Sequence, residues 1–185
     1  MPKIPTYPSQ ATLKRGDQFV LAQATDGTTK NIEWEDMVPV AYGGIAFEGK
    51  TTNLGAVGTA WTVVTGYDLA LAALVFTLTA ANNRLDIPVG GTYLLGYQMS
   101  LYNSLGARTI QCRLTKGGVA IAGSVRTFCT SIAAESGAVA CEMMLDALAA
   151  ADQIKVEARM TGATTTGDLL CADGALLARF LRPAS

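Results

Sequence analysis

The stretch Tyr93-Leu-Leu-Gly-Tyr-Gln-Met-Ser-Leu101 constrains this chain more than any other, because it sets Tyr93, Leu95, Tyr97, Met99 and Leu101 on one side of an extended segment. It follows directly on Pro88-Val-Gly-Gly91, a run of turn residues. Side chains that alternate at a period of two need a sheet that buries at least one face. Most of the downstream chain repeats the design. Candidate strands run over residues 45–47, 61–64, 73–79, 84–87, 92–102, 109–114, 119–122, 126–131, 139–144, 154–160 and 175–181. Asn82-Asn83, Gly90-Gly91, Gly117-Gly118 and Asp173-Gly174 supply residues that tolerate a positive φ at the bends. Short segments with this punctuation predict an all-β chain folded as a two-sheet sandwich or jelly roll. Two windows rich in Ala and Leu, 69–78 and 142–151, also suit helices. In the second, Met144, Leu148 and Ala151 share a helical face, which leaves a turn of helix before Asp152 open.

Facing patterns name the core. Ile110, Cys112 and Leu114 alternate with Thr109, Gln111 and Arg113, and Ile154, Val156, Ala158 and Met160 alternate with Lys155, Glu157 and Arg159, so these strands are packed on one face and wet on the other. The strand at 92–102 is apolar on both faces at Leu94 and Leu95, and that at 175–181 is so at Leu176 and Leu177. Strands sealed on both sides are candidates for a subunit interface, to which Tyr93, Tyr97, Tyr102 and Phe180 would bring large contact area at low entropy cost.

Composition supports association. Charged residues make up only 16% of the 185 residues, against roughly 25% in ordinary soluble domains, and the mean hydropathy is +0.28. So few charges leave part of the surface to be covered by copies of the same chain. Fourteen basic and fifteen acidic residues give a formal net charge of -1, which offers no positive field for nucleic acid or an acidic membrane. The most apolar stretch, 69–81, is shorter than the roughly 20 residues of a spanning helix. Met1 to Gln10 carries three prolines and no basic-then-apolar run, so no secretion signal is expected and synthesis in a reducing cytoplasm is.

The first forty residues read differently. Pro2, Pro5 and Pro8 favour an extended arm. Residues 17–22, the turn Asp26-Gly27 and residues 28–34 then form a hairpin with Phe19, Leu21, Ile32 and Trp34 as its apolar contacts. Two strands alone are marginal in water, so the hairpin is expected to dock on a partner protein, on its own oligomer or on its own domain. The division is into an arm and hairpin over 1–40 and a β domain over 41–185.

Chemistry is limited by what is missing. The chain has no histidine, which removes Ser-His-Asp and Cys-His catalysis, His-bearing zinc sites and the commonest near-neutral general base. Asp146, Asp152, Asp168 and Asp173 sit in turn-like surroundings that suit solvated or capping carboxylates. No Gly-rich loop is followed by Lys-Ser or Lys-Thr, so no phosphate cradle is expected. Cys112, Cys129, Cys141 and Cys171 contain no Cys-x-x-Cys pair, and Cys112 and Cys171 suit small buried hydrophobes. The expectation is a non-enzyme with no cofactor and no metal. Tyr42, Trp61, Tyr67 and Tyr102 suit either a sugar-binding platform or a core and interface. The turn at 161–167, rich in Thr, suits a solvated or contact loop.

Several pieces in order resemble the trimeric jelly roll of the C1q and tumour-necrosis-factor superfamily, in the version found in tailed-phage virion proteins. Asn83-Arg-Leu-Asp86 leading into Ile87-Pro-Val-Gly-Gly-Thr-Tyr93 is similar to the opening of that family's central strand. Leu114-Thr-Lys-Gly-Gly-Val119 resembles its leucine-x-lysine-asparagine-glycine hairpin, with Gly117 where asparagine is usual. Ala150-Ala-Asp-Gln-Ile-Lys-Val156 resembles its alanine-glycine-aspartate strand start, with Ala151 in the glycine position. Ala175-Leu-Leu-Ala-Arg-Phe-Leu181 takes the place of its closing strand without the usual Ser and Gly. Gly16-Asp17, Asp26-Gly-Thr-Thr-Lys30 and Trp34-Glu-Asp36 resemble the module that opens many phage structural proteins.

The resemblance implies a homotrimer with Tyr93, Leu95, Tyr97 and Phe180 at the threefold interface. It implies a virion-surface protein synthesised in the host cytoplasm, either a capsid decoration (cement) trimer or the knob of a tail fibre. With no collagen repeat or heptad shaft, cement is the better match: Phe19, Leu21, Ile32 and Trp34 would attach to the major capsid protein, and the trimer would cross-link capsomers. The knob reading would instead have a host glycan or protein as partner.

Overall fold

The computed structural model describes residues 18–22, 29–33, 42–49, 52–54, 60–71, 76, 80–104, 107–132, 135–161 and 168–183. By its internal contacts the chain divides into two units, Met1–Pro39 and Val40–Ser185. In the first, β1 (Gln18–Ala22) and β2 (Thr29–Glu33) form an antiparallel hairpin with Phe19 opposite Ile32 and Leu21 opposite Lys30. The proline arm, the Asp26-Gly27 turn and Trp34 lie outside the described residues.

The second unit is a sandwich of two antiparallel sheets, as the alternation predicts. Its strands are β3 (Tyr42–Phe47), β4 (Thr52–Asn53), β5 (Thr62–Val63), β6 (Leu69–Ala70), β7 (Leu85–Asp86), β8 (Gly91–Asn103), β9 (Arg108–Lys116), β10 (Val119–Ala120), β11 (Arg126–Thr130), β12 (Ser136–Leu148), β13 (Gln153–Thr161) and β14 (Leu169–Pro183). The first sheet runs β12-β8-β14-β3-β6, with β4 also on β14; the second runs β10-β9-β13-β5, with β11 on β9 and β7 on β13. Apart from β3–β4 and β9–β10–β11, consecutive strands change sheets, and this crossing is what closes the sandwich. At the crossing from β11 to β12 the Glu135 carboxylate accepts from the Ser131 amide at 2.5 Å, the Ser131 hydroxyl at 2.8 Å and the Ile132 amide at 3.2 Å.

Between the sheets, Tyr93, Leu95, Tyr97, Met99 and Leu101 of β8 face Ile110, Cys112 and Leu114 of β9 and Ile154, Val156, Ala158 and Met160 of β13, all fully or almost fully buried. Burial of this kind contributes about 1.5–3 kcal/mol per large apolar side chain. The sheets are also stitched by one hydroxyl: Tyr97 Oη on β8 lies 3.0 Å from the Cys112 carbonyl on β9 and 3.0 Å from that of Ser124. Ser124 Oγ in turn donates to Ile121 O at 2.7 Å and accepts from the Leu114 amide at 3.0 Å, which fixes the loop between β10 and β11.

Three expectations change. The window 142–151 is strand as far as Leu148, and no α-helix occurs among the described residues. Helical propensity yields there because β12 pairs with β8 along its length. The window 69–78 begins as β6, and the strand expected at 73–79 lies outside the described residues apart from Phe76. Asp173-Gly174 is not a chain reversal, because β14 continues through it. A bulge between Cys171 and Asp173 shifts the alternation by one residue, so that Leu169 and Cys171 and then Gly174, Leu176, Ala178 and Phe180 all point inward. Glycine at 174 answers to close packing: a Cβ there would fall 2.6 Å from both Met99 Sδ and Phe47 Cε1.

Candidate assembly face

The alternation that sends one set of side chains into the sandwich turns the other set outward, and on the first sheet most of that outward set is apolar or small, with Glu142, Gln98 and Arg179 among it. Register aligns it in rows across β12, β8, β14 and β3: Met144, Leu94, Arg179 and Tyr42 in one, Glu142, Gly96, Leu177 and Gly44 in the next, then Ala140, Gln98, Ala175 and Ala46. Leu69 of β6 extends the third row beside Ala46. Tyr42, Leu69, Met144 and Leu177 remain 44%, 43%, 57% and 45% exposed, high values for large apolar side chains spread over one sheet face.

Shallow hollows mark this face, two of them along β3. One, of about 280 Å³, is lined by Tyr42, Gly44, Leu71, Leu94, Gly96 and Leu177, with Glu142 and Arg179 as its charged members. The other, of about 530 Å³, lies over Ala46, Leu69, Ala138 and Ala175 and has Glu48 and Asp173 on it. Asp173 Oδ1 accepts from the Gly49 amide at 2.9 Å. At the far end of the face Asp146 accepts from Thr92 Oγ1 at 2.8 Å and pairs with Arg182 at 3.6 Å.

The residues expected at the subunit interface lie elsewhere. Tyr93, Leu95, Tyr97 and Phe180 are 0%, 0%, 2% and 4% exposed and belong to the protomer's own core. Tyr93 donates to Val89 O at 2.7 Å and packs edge-on against Phe180, with ring centroids 5.2 Å apart. Burial raises the hydroxyl pKa of both Tyr93 and Tyr97. The physical reason is the period of two: the open surface belongs to their neighbours Leu94, Gly96, Leu177 and Arg179. The signal was present in the doubly apolar pairs Leu94-Leu95 and Leu176-Leu177; in the second pair, which member faces in depends on the bulge in β14. Of the residues expected to bind a capsid, Phe19, Leu21 and Ile32 have their backbones in the hairpin pairing, and Trp34 lies outside the described residues.

The outward face of the second sheet is polar, as expected. Arg113 donates to Glu157 Oε2 through Nε at 2.9 Å and Nη2 at 2.7 Å, and Arg159 Nε donates to Gln111 Oε1 at 2.7 Å. Both guanidiniums sit against Trp61, at 4.1 and 4.4 Å from its ring centroid. The four aromatics suited to a sugar platform do not converge. Tyr67 is in the core against Phe47 and Trp61 is on the second sheet. Tyr42 on β3 is level with Leu94, and Tyr102 is near the other end of β8, roughly 26 Å farther along the strand direction at the usual rise per residue.

Among the described residues no group of three or more His, Cys, Asp or Glu is placed to hold a metal ion. No helix of the described residues is long and apolar enough to cross a membrane. Cys112, Cys141 and Cys171 are buried free thiols and Cys129 is exposed, 3.4 Å from Thr109 Oγ1. Burial pushes the Cys171 thiol up to about 12 and raises that of Cys112 further, Cys171 adding to the latter effect.

No protein-family model matches the chain, and no curated protein matches it. Among solved structures, Eiger TNF from S. frugiperda is similar with a TM-score of 0.44 and 16% identity over 78% of this chain and 96% of that one. The globular domain of zebrafish complement 1qA protein is similar with a TM-score of 0.53 and 16% identity, over 80% of this chain and 100% of that one. The sandwich built by β3 to β14 therefore has the C1q-like jelly-roll fold.

Proposed function

We propose that the protein is a non-enzymatic homotrimer of a phage virion, a decoration protein that seats on the capsid surface and cross-links capsomers. The observation that carries the proposal is the outward face of the first sheet, where Tyr42, Leu69 and Leu177 stand exposed at hollows lined by glycines and alanines and Met144 is exposed beside Leu94. Such a surface gains by being covered, and copies of the same chain are the covering the low charge content calls for. The absence of histidine from the sequence supports a passive role. The C1q-like fold supports the trimeric state through the family resemblance of the sequence.

Attachment is assigned to the β1–β2 hairpin and the proline-containing arm, which resemble the opening module of phage structural proteins. Three copies of a weak attachment segment on one trimer give durable binding through effective concentration. A trimer bound only to the closed shell raises the temperature at which that shell opens.

The test is co-sedimentation of the purified protein with undecorated capsids, alongside a chain lacking residues 1–39. Binding by the full chain and loss of binding by the shortened one are expected. A full chain that ignores capsids but binds on a glycan array would replace decoration with the receptor-binding knob.

A further inference from the structure

We propose that Glu142 and Arg179 are the two halves of an ion pair made between neighbouring copies of this chain, and that the pair sets how those copies register. The inference rests on the assembly reading above. Glu142 stands on the edge strand β12 and Arg179 on β14, with β8 between them. Both are exposed, and they are the charged side chains lining the hollow made by Gly44, Gly96 and Leu177. Neither meets an opposite charge within the protomer among the described residues.

Register explains why. Glu142 is level with Gly96 and Arg179 with Leu94, so neither row offers a polar group between the two strands. Farther along the same strands Asp146 and Arg182 do meet, and Thr92 of β8 bonds to both, at 2.8 and 3.4 Å. The same two strands thus close one acid–base pair inside the protomer and leave the other open.

An open carboxylate and an open guanidinium on an apolar face are stranded when a second copy covers that face, unless each lands on its opposite. An acid on the edge strand β12 and a base on the central strand β14 suit a head-to-tail contact, in which the β12 edge of one copy meets the middle of the sheet of the next and the rotation closes into a ring. Arginine adds direction, because its planar fork accepts a carboxylate in few orientations. The occupant of the hollow is therefore the next copy of this chain.

Charge reversal tests the pair. The full-length chain and the variants E142R, R179E and E142R/R179E are compared by sedimentation velocity over a dilution series, with far-ultraviolet spectra to verify folding. Each single reversal is expected to weaken association by about 100-fold or more, and the double reversal to restore most of the loss. The neutral E142Q and R179Q, which disturb the fold less, are expected to weaken association in the same direction. An assembled wild type whose single variants assemble as well, or whose double variant is no better than the singles, overturns the pair and leaves the assembly reading standing. A monomeric wild type overturns the assembly reading and the pair with it.

Discussion

Leu177 of β14 lies in register with Gly44 of β3 on the side of the sheet turned away from the core, and a Cβ on Gly44 would fall 2.5 Å from Leu177 Cδ2. The glycine lets the leucine lie down across the strand, and the result is a smooth apolar patch. Leu176, one residue earlier, is fully buried on the other side. Two adjacent leucines thus face opposite ways, Leu176 into the core and Leu177 onto the face proposed for contact between copies.

Substitution separates those tasks. Leu177→Asp is expected to leave the far-ultraviolet spectrum and the urea midpoint of the dissociated chain unchanged while abolishing assembly. Leu95→Ala, in the core, is expected to cost about 2–5 kcal/mol of stability through lost burial and a cavity. Equilibrium unfolding and light scattering on both variants check the contrast, and equal losses of stability would remove the distinction between the faces.

Hydroxyl deletion probes the join between the sheets. Tyr97→Phe removes the group shared by the Cys112 and Ser124 carbonyls and is expected to destabilise by about 1 kcal/mol or more. Tyr67 Oη is buried without a hydrogen-bond partner among the described residues, so Tyr67→Phe is expected to be neutral or stabilising by up to about 1–2 kcal/mol. Urea denaturation of the two variants reads the opposite signs.

Ala151 has φ of 69°, a left-handed conformation that glycine adopts freely and alanine does not. It is held there by its amide, which donates to Ile87 O at 2.8 Å, and by Asp152, whose carboxylate accepts from the Ala149 amide at 2.8 Å. Ala151→Gly is expected to stabilise the fold by about 1 kcal/mol. A thermal melt that moved downward would count against the strain.

The buried thiols give a sign to the alkaline limb of stability. The ordinary thiol value is 9.0, and burial holds Cys171 protonated up to about 12. The unfolded chain therefore releases its proton first as pH rises, and the folded state loses stability from about pH 9 toward pH 12; below pH 9 the contribution is complete. Cys171→Ala is expected to flatten that limb in urea midpoints measured across this range. Under native conditions a thiol reagent is expected to label Cys129 alone, with Cys112, Cys141 and Cys171 labelled only on unfolding.

Much of the fold was legible in the chain because its cues are local. Tyr93 to Leu101 alternates cleanly and is strand throughout, and Gly117-Gly118 and Asn83 take the positive φ expected of bends. The assembly face was not legible in the same way. At Leu94-Leu95 and Leu176-Leu177 both faces are apolar, so periodicity marks a doubly covered strand without saying which side is which. The answer depends on non-local geometry: the bulge at Cys171 to Asp173 resets the parity of β14, and the aromatic rings of Tyr93 and Phe180 find each other inside the sandwich. Large aromatics suit an interface and a core equally well by composition, and only the packing of the second sheet decides between them.

The most direct measurement is the mass of the intact chain in dilute solution by light scattering at micromolar concentration. Three copies per particle are predicted, with Leu177→Asp reducing the particle to one. A wild-type chain that ran as a compact single copy, with Tyr42, Leu69, Met144 and Leu177 open to water, would contradict the account.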